Sequence, residues 1–305
     1  MLKVAVAVVV QNNQVLLATR ALHKVQGGAW EFPGGKIEAD ETPYNALVRE
    51  CTEELAIKVK SAKKLIVTTQ SYPEFKVELH AFKITEFIGT PIGAEGQQIK
   101  WVNLNNLTNY LFVAADWAII NSAVLPNKYA ITPDALPDLV IKHIQKLAAQ
   151  NFSLVRLRMP NLANNQYFEL ANHLINNHKH QITFMLRCDN LAINNFLDAG
   201  LHLTAKQLAE FSKRPIARGR LLAASVHNLM ELEQAQLLEV DFVTLSPVKP
   251  TLSHPNNKVL TTKEVTDIMQ CAQIPVFWQG GMQISDLEQA LLGKAQGIAA
   301  IRSFI

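Results

Sequence analysis

Between residues 129 and 305, short apolar runs alternate eight times with helical stretches, and this alternation constrains the fold more than any other feature of the chain. The runs cover residues 129–132, 154–158, 182–186, 201–203, 221–225, 242–245, 276–278 and 297–301. Apolar runs without a polar alternation mark strands buried on both faces, the condition of a parallel sheet covered by helices. Helical stretches lie between them, for example 136–149, 228–238, 262–271 and 285–292. Eight such β/α units in about 175 residues predict a compact (β/α)8 TIM barrel, short of the usual ~250 residues. A doubly wound sheet is the alternative for this half.

The first part of the chain reads differently. Residues 4–10 and 14–19 are β-rich runs around the polar turn Gln11-Asn12-Asn13, which predicts a hairpin. A helix follows over 42–56, with Pro43 suited to its first turn. Strands are expected at 64–71, 76–86 and 99–102, and a last helix at 114–123. A chain of 305 residues is long for one core. The expected division is therefore a first domain over 1–125, a linker over 126–128 and a barrel over 129–305, α+β followed by α/β.

Composition excludes several classes. Hydrophobic residues at 49% and charged ones at 18% argue for a well-buried globular chain and against disorder. A net charge of +3, scattered along the chain, gives no reason to expect a nucleic-acid polymer or a membrane surface as partner. Cys51, Cys188 and Cys271 are far apart and form no Cys-x-x-Cys, as expected of reduced thiols. The apolar N-terminus lacks a basic leader and a cleavage site, and no run is long enough to span a bilayer. The expected setting is cytoplasmic.

The chemistry concentrates between Gly34 and Leu55. Gly34 and Gly35 are expected to form a loop, after which Asp40-Glu41-Thr42-Pro43 opens the helix. On that helix Glu50, Glu53 and Glu54 stand at i, i+3 and i+4, so three carboxylates share one face. Like charges so placed repel unless a cation sits among them. Hard divalent cations take oxygen ligands and serve substrate phosphates at the same time. Metal-dependent cleavage of a phosphoanhydride is the chemistry this pattern suits; an exposed, salt-bridged acidic helix is the plainer alternative.

Gly35, Glu41 and Arg49-Glu50-Cys51-x-Glu53-Glu54-x-Ala56-Ile57 together resemble the Nudix box, and Trp30-Glu31-Phe32-Pro33-Gly34-Gly35-Lys36 resembles its MutT branch. The resemblance covers residues 1–125 and implies an α/β/α sandwich. It implies Mg2+, or Mn2+, held by Glu50, Glu53, Glu54 and the carbonyl of Gly34, with Arg49 orienting the glutamates. A loop glutamate of the branch falls on Glu95, as a further metal ligand or a base for water. The implied reaction is attack on the β-phosphorus of a nucleoside triphosphate, with 8-oxo-dGTP the expected substrate. Arg20 corresponds to a phosphate- or base-side arginine, and Phe32 to the apolar wall near the base. Asp116 stands where the branch reads the base with an asparagine, or else caps a helix over 117–123. Ala56 departs from the family glycine; if its backbone needs a positive φ, alanine there costs about 1 kcal/mol.

Three stretches of the second half are similar to the thiamine phosphate synthase and TenI family of barrels. They are Tyr129-Ala130-Ile131-Thr132-Pro133, then Ser225-Val226-His227 with Ser246-Pro247-Val248-Lys249-Pro250-Thr251, and finally Gln279-Gly280-Gly281 with Arg302-Ser303. The resemblance implies a phosphorylated small-molecule ligand. Candidate residues are Arg156, Arg158, Ser225, His227, Thr251, Gly280, Gly281 and Ser303. The synthase's Asn-Asp pair after strand three is not matched, Asp189 being displaced along the chain. No acid follows strand four, and His254 replaces a family lysine. A site short of acids and rich in cations suits a phosphate and holds Mg2+ poorly. Three roles stay open: thiamine phosphate synthase, a thiazole tautomerase using His227, and a non-catalytic phosphate-binding barrel.

Overall fold

The computed structural model describes residues 1–20, 27–72, 74–112, 114–251 and 258–304. Its contacts separate two compact units, Met1–Ala123 and Val124–Ile305. His254 lies outside the described residues.

The first unit is a sheet with a helix on each face. Its strands are β1 (Leu2–Gln11), β2 (Gln14–Thr19), β3 (Trp30–Glu31), β4 (Gly34–Lys36), β5 (Lys58–Ser71), β6 (Lys76–Ile88) and β7 (Ile99–Asn103), with helices α1 (Pro43–Leu55) and α2 (Ala114–Val124). The order is β3-β2-β1-β6-β5, β4 pairing with β1 and β7 with β2. Along β1, Ala5, Ala7 and Val9 pack with Leu47, Cys51 and Leu55 of α1. Val6 and Val8, on the opposite face, pack with Ile119, Ile120 and Ala123 of α2. Side chains of a strand alternate between faces, so a run apolar at every position needs cover on both. The two helices supply it, each fully buried leucine contributing about 1.5–3 kcal/mol.

One expectation is corrected here. Gly34 and Gly35 are not a loop but part of β4, paired antiparallel with Val6 and Ala5. Gly34 has φ +145°, and a Cβ on it would stand 2.1 Å from the carbonyl oxygen of Ala5. The glycine permits close approach of two backbones. β5 also starts earlier than residue 64, at Lys58.

The second unit is a closed barrel of parallel strands: β8 (Lys128–Ile131), β9 (Leu154–Arg156), β10 (Thr183–Arg187), β11 (Gly200–Leu203), β12 (Leu222–Val226), β13 (Phe242–Leu245), β14 (Val276–Gln279) and β15 (Gly297–Ala300). Helices α3 (Pro137–Ala149), α4 (Asn164–His178), α5 (Asn190–Asn195), α6 (Ala205–Glu210), α7 (Leu229–Leu237), α8 (Thr262–Cys271) and α9 (Leu287–Leu292) follow the strands. The barrel fits in few residues because its strands are three to five residues long and three of its helices only six. Tyr129, Leu154, Met185, Phe242 and Phe277 fill the interior. The other strand face packs against the helices, as Val155, Leu186 and Val243 do.

The barrel closes at β15 and β8, where Ile298 N–H donates to Asn127 O at 3.0 Å and Gln296 Nε2 to Leu125 O at 2.8 Å. Gly297 lies against this seam, a Cβ on it meeting Asn127 O at 1.9 Å. Residues 124–127 thus belong to the second unit, and Lys128 opens its first strand. Among the described residues no helix is long and apolar enough to cross a membrane.

Candidate functional site

α1 begins at Pro43, with Thr42 Oγ1 accepting the Asn45 N–H at 3.2 Å. Ala46, Leu47, Cys51 and Leu55 are buried, which leaves Glu50, Glu53 and Glu54 along the other side. Arg49 organises them. Its Nη1 donates to Glu50 at 2.7 Å and Glu53 at 3.1 Å, while Nε and Nη2 hold Glu41 at 3.1 and 2.9 Å and Nη2 reaches Lys36 O at 2.8 Å. Glu54 accepts the Gly34 N–H at 2.9 Å. The Arg49 hydrogen bond holds the Glu41 carboxyl below its ordinary range. Burial pushes the Cys51 thiol up to about 12, so it stays protonated and unreactive.

The loop carrying Glu95 is tied to the end of α1. Ala94 N–H and Gln97 Nε2 both donate to Glu54 O, at 2.9 and 2.8 Å, and Glu95 N–H donates to Gln97 Oε1 at 2.9 Å. Glu95 itself is exposed. Among the described residues no three acidic, cysteine or histidine side chains already converge as a metal cage. The donor chemistry nonetheless fits a hard divalent cation: all-oxygen carboxylates within one helical turn, two of them held by a single guanidinium.

Gly34 also borders a cavity of about 210 Å3 lined by Arg20, Phe32, Tyr72, Phe75, Leu111 and Asp116. Phe32 is buried and stacks on Phe112 with ring centroids 6.1 Å apart. Arg20 Nη1 pairs with Glu31 at 3.2 Å. α2 starts at Ala114, so Asp116 sits inside its first turn and does not cap a helix over 117–123. Tyr72 and Phe75 stack at 4.9 Å across the β5–β6 hairpin.

In the barrel, one cavity of about 470 Å3 brings together Arg156, Arg158, Ser225, His227, Thr251, Gly280, Gly281 and Ser303, along with Arg302 and Gln279. These residues come from strands and loops at the carboxyl ends of the strands, where barrels carry their sites. His227 Nδ1 faces Glu231 at 2.9 Å, and the same carboxylate accepts the His227 backbone N–H at 2.7 Å. Ser225 Oγ contacts His202 Nε2 at 3.0 Å, and His202 Nδ1 contacts the hydroxyl of Tyr129 at 3.0 Å. Burial keeps the Tyr129 phenol protonated and His202 well below its usual pKa. A neutral ring carries one proton, so His202 donates in one of these two contacts and accepts in the other.

Residues 128–304, more than half of the chain, match the family model described as thiamine monophosphate synthase. Residues 5–122 match that of the NUDIX domain. Over 122 residues the chain is 32% identical to the CTP pyrophosphohydrolase of Escherichia coli (strain K12), covering 40% of this chain and 90% of that protein. The chain belongs to both families. An 8-oxo-dGTP diphosphatase of the same organism is 32% identical over 120 residues, covering 39% of this chain and 93% of that enzyme. For the barrel, the thiamine-phosphate synthase of Fusobacterium nucleatum subsp. nucleatum is 25% identical over 166 residues, covering 54% of this chain and 81% of that protein.

The Nudix half makes the chain a hydrolase. Its box departs from glycine at Ala56, whose φ is +53° and ψ +32°, the left-handed region where alanine is strained. In the thiamine monophosphate synthase half, Asp189 caps α5, accepting the Ala192 N–H at 2.9 Å, and pairs with Arg187 at 3.5 Å. Sequence reasoning missed Glu41 as the main anchor of Arg49 and the Tyr72–Phe75 pair, and it left Arg302 out of the candidates although the residue stands in the quoted barrel motif. Glu41 was visible as a member of the box itself; the aromatic pair carried no local signal.

Proposed function

We propose that the Nudix half is a divalent-metal-dependent nucleoside triphosphate pyrophosphohydrolase acting on an oxidised purine nucleotide, 8-oxo-dGTP first among them, in a cytoplasmic setting. The observation that carries the reading is Gly34, which touches both halves of the site: its N–H holds Glu54, and it borders the cavity of Arg20, Phe32 and Asp116. Mg2+, or Mn2+, would be held by Glu50, Glu53, Glu54, Glu95 and the Gly34 carbonyl, and supplies charge neutralisation and a more acidic water. Arg49 keeps Glu50 and Glu53 in fixed positions, so little reorganisation is needed on binding. Water attacks the β-phosphorus and the bond to the oxygen bridging α and β breaks, giving nucleoside monophosphate and diphosphate. Glu95 is our candidate for taking the water's proton. Phe32 gives the base an apolar wall, Arg20 a cation, and Asp116 a hydrogen-bonding carboxylate.

Similarity to the E. coli CTP pyrophosphohydrolase supports a second reading, in which the base is a pyrimidine. A screen of canonical and oxidised nucleotides for diphosphate release with Mg2+ separates the two. Preference for CTP overturns the purine reading, and full activity of Glu53→Gln overturns the metal assignment. We further propose that the barrel is a separate domain binding a phosphorylated small molecule. The His227–Glu231 contact favours proton transfer there, as in a tautomerase, over synthase chemistry. Growth of a thiamine-requiring strain on this chain would reverse that order.

A further inference from the structure

We propose that the barrel cavity takes the phosphate or diphosphate of its ligand as a bare oxyanion, with no divalent cation between ligand and protein, so that Mg2+ weakens binding. This rests on the reading of the barrel as a phosphate-ligand domain. Its starting point is Arg156, which is only 9% exposed. It borders the cavity, and its guanidinium forms no hydrogen bond or ion pair among the described residues. A guanidinium cannot shed its proton at accessible pH, and an unpaired buried charge is costly. Its nitrogens face the cavity, where water can solvate them and where a bound oxyanion would also pair the charge. Arg158 and Arg302 line the same space, so three cations face one volume.

The lining lacks what a divalent cation needs. Among the described residues no aspartate or glutamate borders the cavity, and residues 252–257, which continue from Thr251, contain none in their sequence. The nearby acids are committed elsewhere. Asp189 caps α5 and pairs with Arg187. Glu231 holds His227, and Asp286 accepts from Lys249 at 2.7 Å. The Mg2+ that the synthase chemistry implies therefore does not fit these residues, whose only charges are positive. Complexing a diphosphate with Mg2+ removes two of the negative charges that three arginines would otherwise meet. Arginine is well matched to bare phosphate oxygens through paired N–H donors.

The test is calorimetric titration of the full chain with sodium diphosphate, first in EDTA and then with excess Mg2+. The Nudix half can contribute heat of its own, so the barrel's share is read as the part lost in Arg158→Gln and Arg302→Gln, two changes outside the buried core. In EDTA the wild type is expected to bind diphosphate, with affinity falling about tenfold or more in each variant. Adding Mg2+ should lower that arginine-dependent affinity by a similar factor. Arginine-dependent binding that appears only with Mg2+ overturns this inference while leaving the phosphate-ligand reading standing. Binding in neither medium that responds to either variant overturns that reading as well.

Discussion

Replacing Gly35 by alanine tests whether the seat of Glu50 matters to hydrolysis. A Cβ at position 35 would stand 2.2 Å from the Glu50 carboxyl carbon and 2.2 and 2.4 Å from its oxygens, where ordinary contact begins near 3.4 Å. The carboxylate must retreat by about 1 Å or swing away, and a misplacement of that size in a reacting constellation costs about 100-fold in rate. The fold should tolerate it. The atoms struck are the end of a flexible side chain, and Arg49 retains Glu41, Glu53 and Lys36 O when Glu50 leaves. The lost ion pair is worth about 1 kcal/mol, since the Glu50 side chain is 13% exposed and that of Arg49 28%. The assay is diphosphate release under saturating Mg2+, run beside a thermal melt. Expected is a melt within a few degrees of wild type and kcat/KM reduced about 100-fold. Glu50→Gln, which collides with nothing, should lose a comparable factor. A folded Gly35→Ala variant with most of its activity would refute the reasoning.

Ala56→Gly relieves a left-handed alanine at the end of α1 and should stabilise the Nudix half by up to about 1 kcal/mol, read as a higher melting temperature with activity unchanged. Asp116→Asn exchanges an acceptor carboxylate for an amide that also donates, and should change the ratio of 8-oxo-dGTP to oxidised dATP turnover; an unchanged ratio would remove Asp116 from base recognition. His202 is buried neutral with its pKa well below the ordinary value near 6.5. Its contribution is fully present above that pH. As pH falls further, only the unfolded chain takes up the proton, so stability drops by about 1.4 kcal/mol per unit until the folded pKa is reached. Denaturant melts at falling pH should show that slope in the barrel transition, and His202→Asn should flatten it.

The eight barrel strands were legible because strands covered on both faces leave apolar runs such as Phe242–Leu245 with nothing polar between. The acidic helix was legible because i, i+3, i+4 carboxylates have one geometric meaning. Gly34 and Gly35 misled, since glycine signals a turn and a close backbone approach with the same letter. The start of β5 was hidden by its lysines, Lys58 and Lys60, which point outward while Val59 points in. For the site, spacing indicated which glutamates share a face but not that Arg49 would also hold Glu41 through two hydrogen bonds. Asp189 has a cap's spacing, three residues before Ala192, and that local role competes with its reading as a displaced metal ligand. Tyr72 and Phe75 reach their cavity through a hairpin whose register no local pattern encodes.

The seam where the barrel closes sets the terms for dissecting this chain. A barrel expressed from residue 129 onward would lose Lys128 from its first strand and the carbonyl that receives the Ile298 amide. Gly297, shaped to lie against Asn127, would face solvent instead. The start of the last strand would then present an unpaired edge, although Ala299 and Ala300 keep Tyr129 and Ala130 opposite them. A fragment begun at Val124 keeps the seam whole, so the five residues 124–128 decide whether that edge is fully covered.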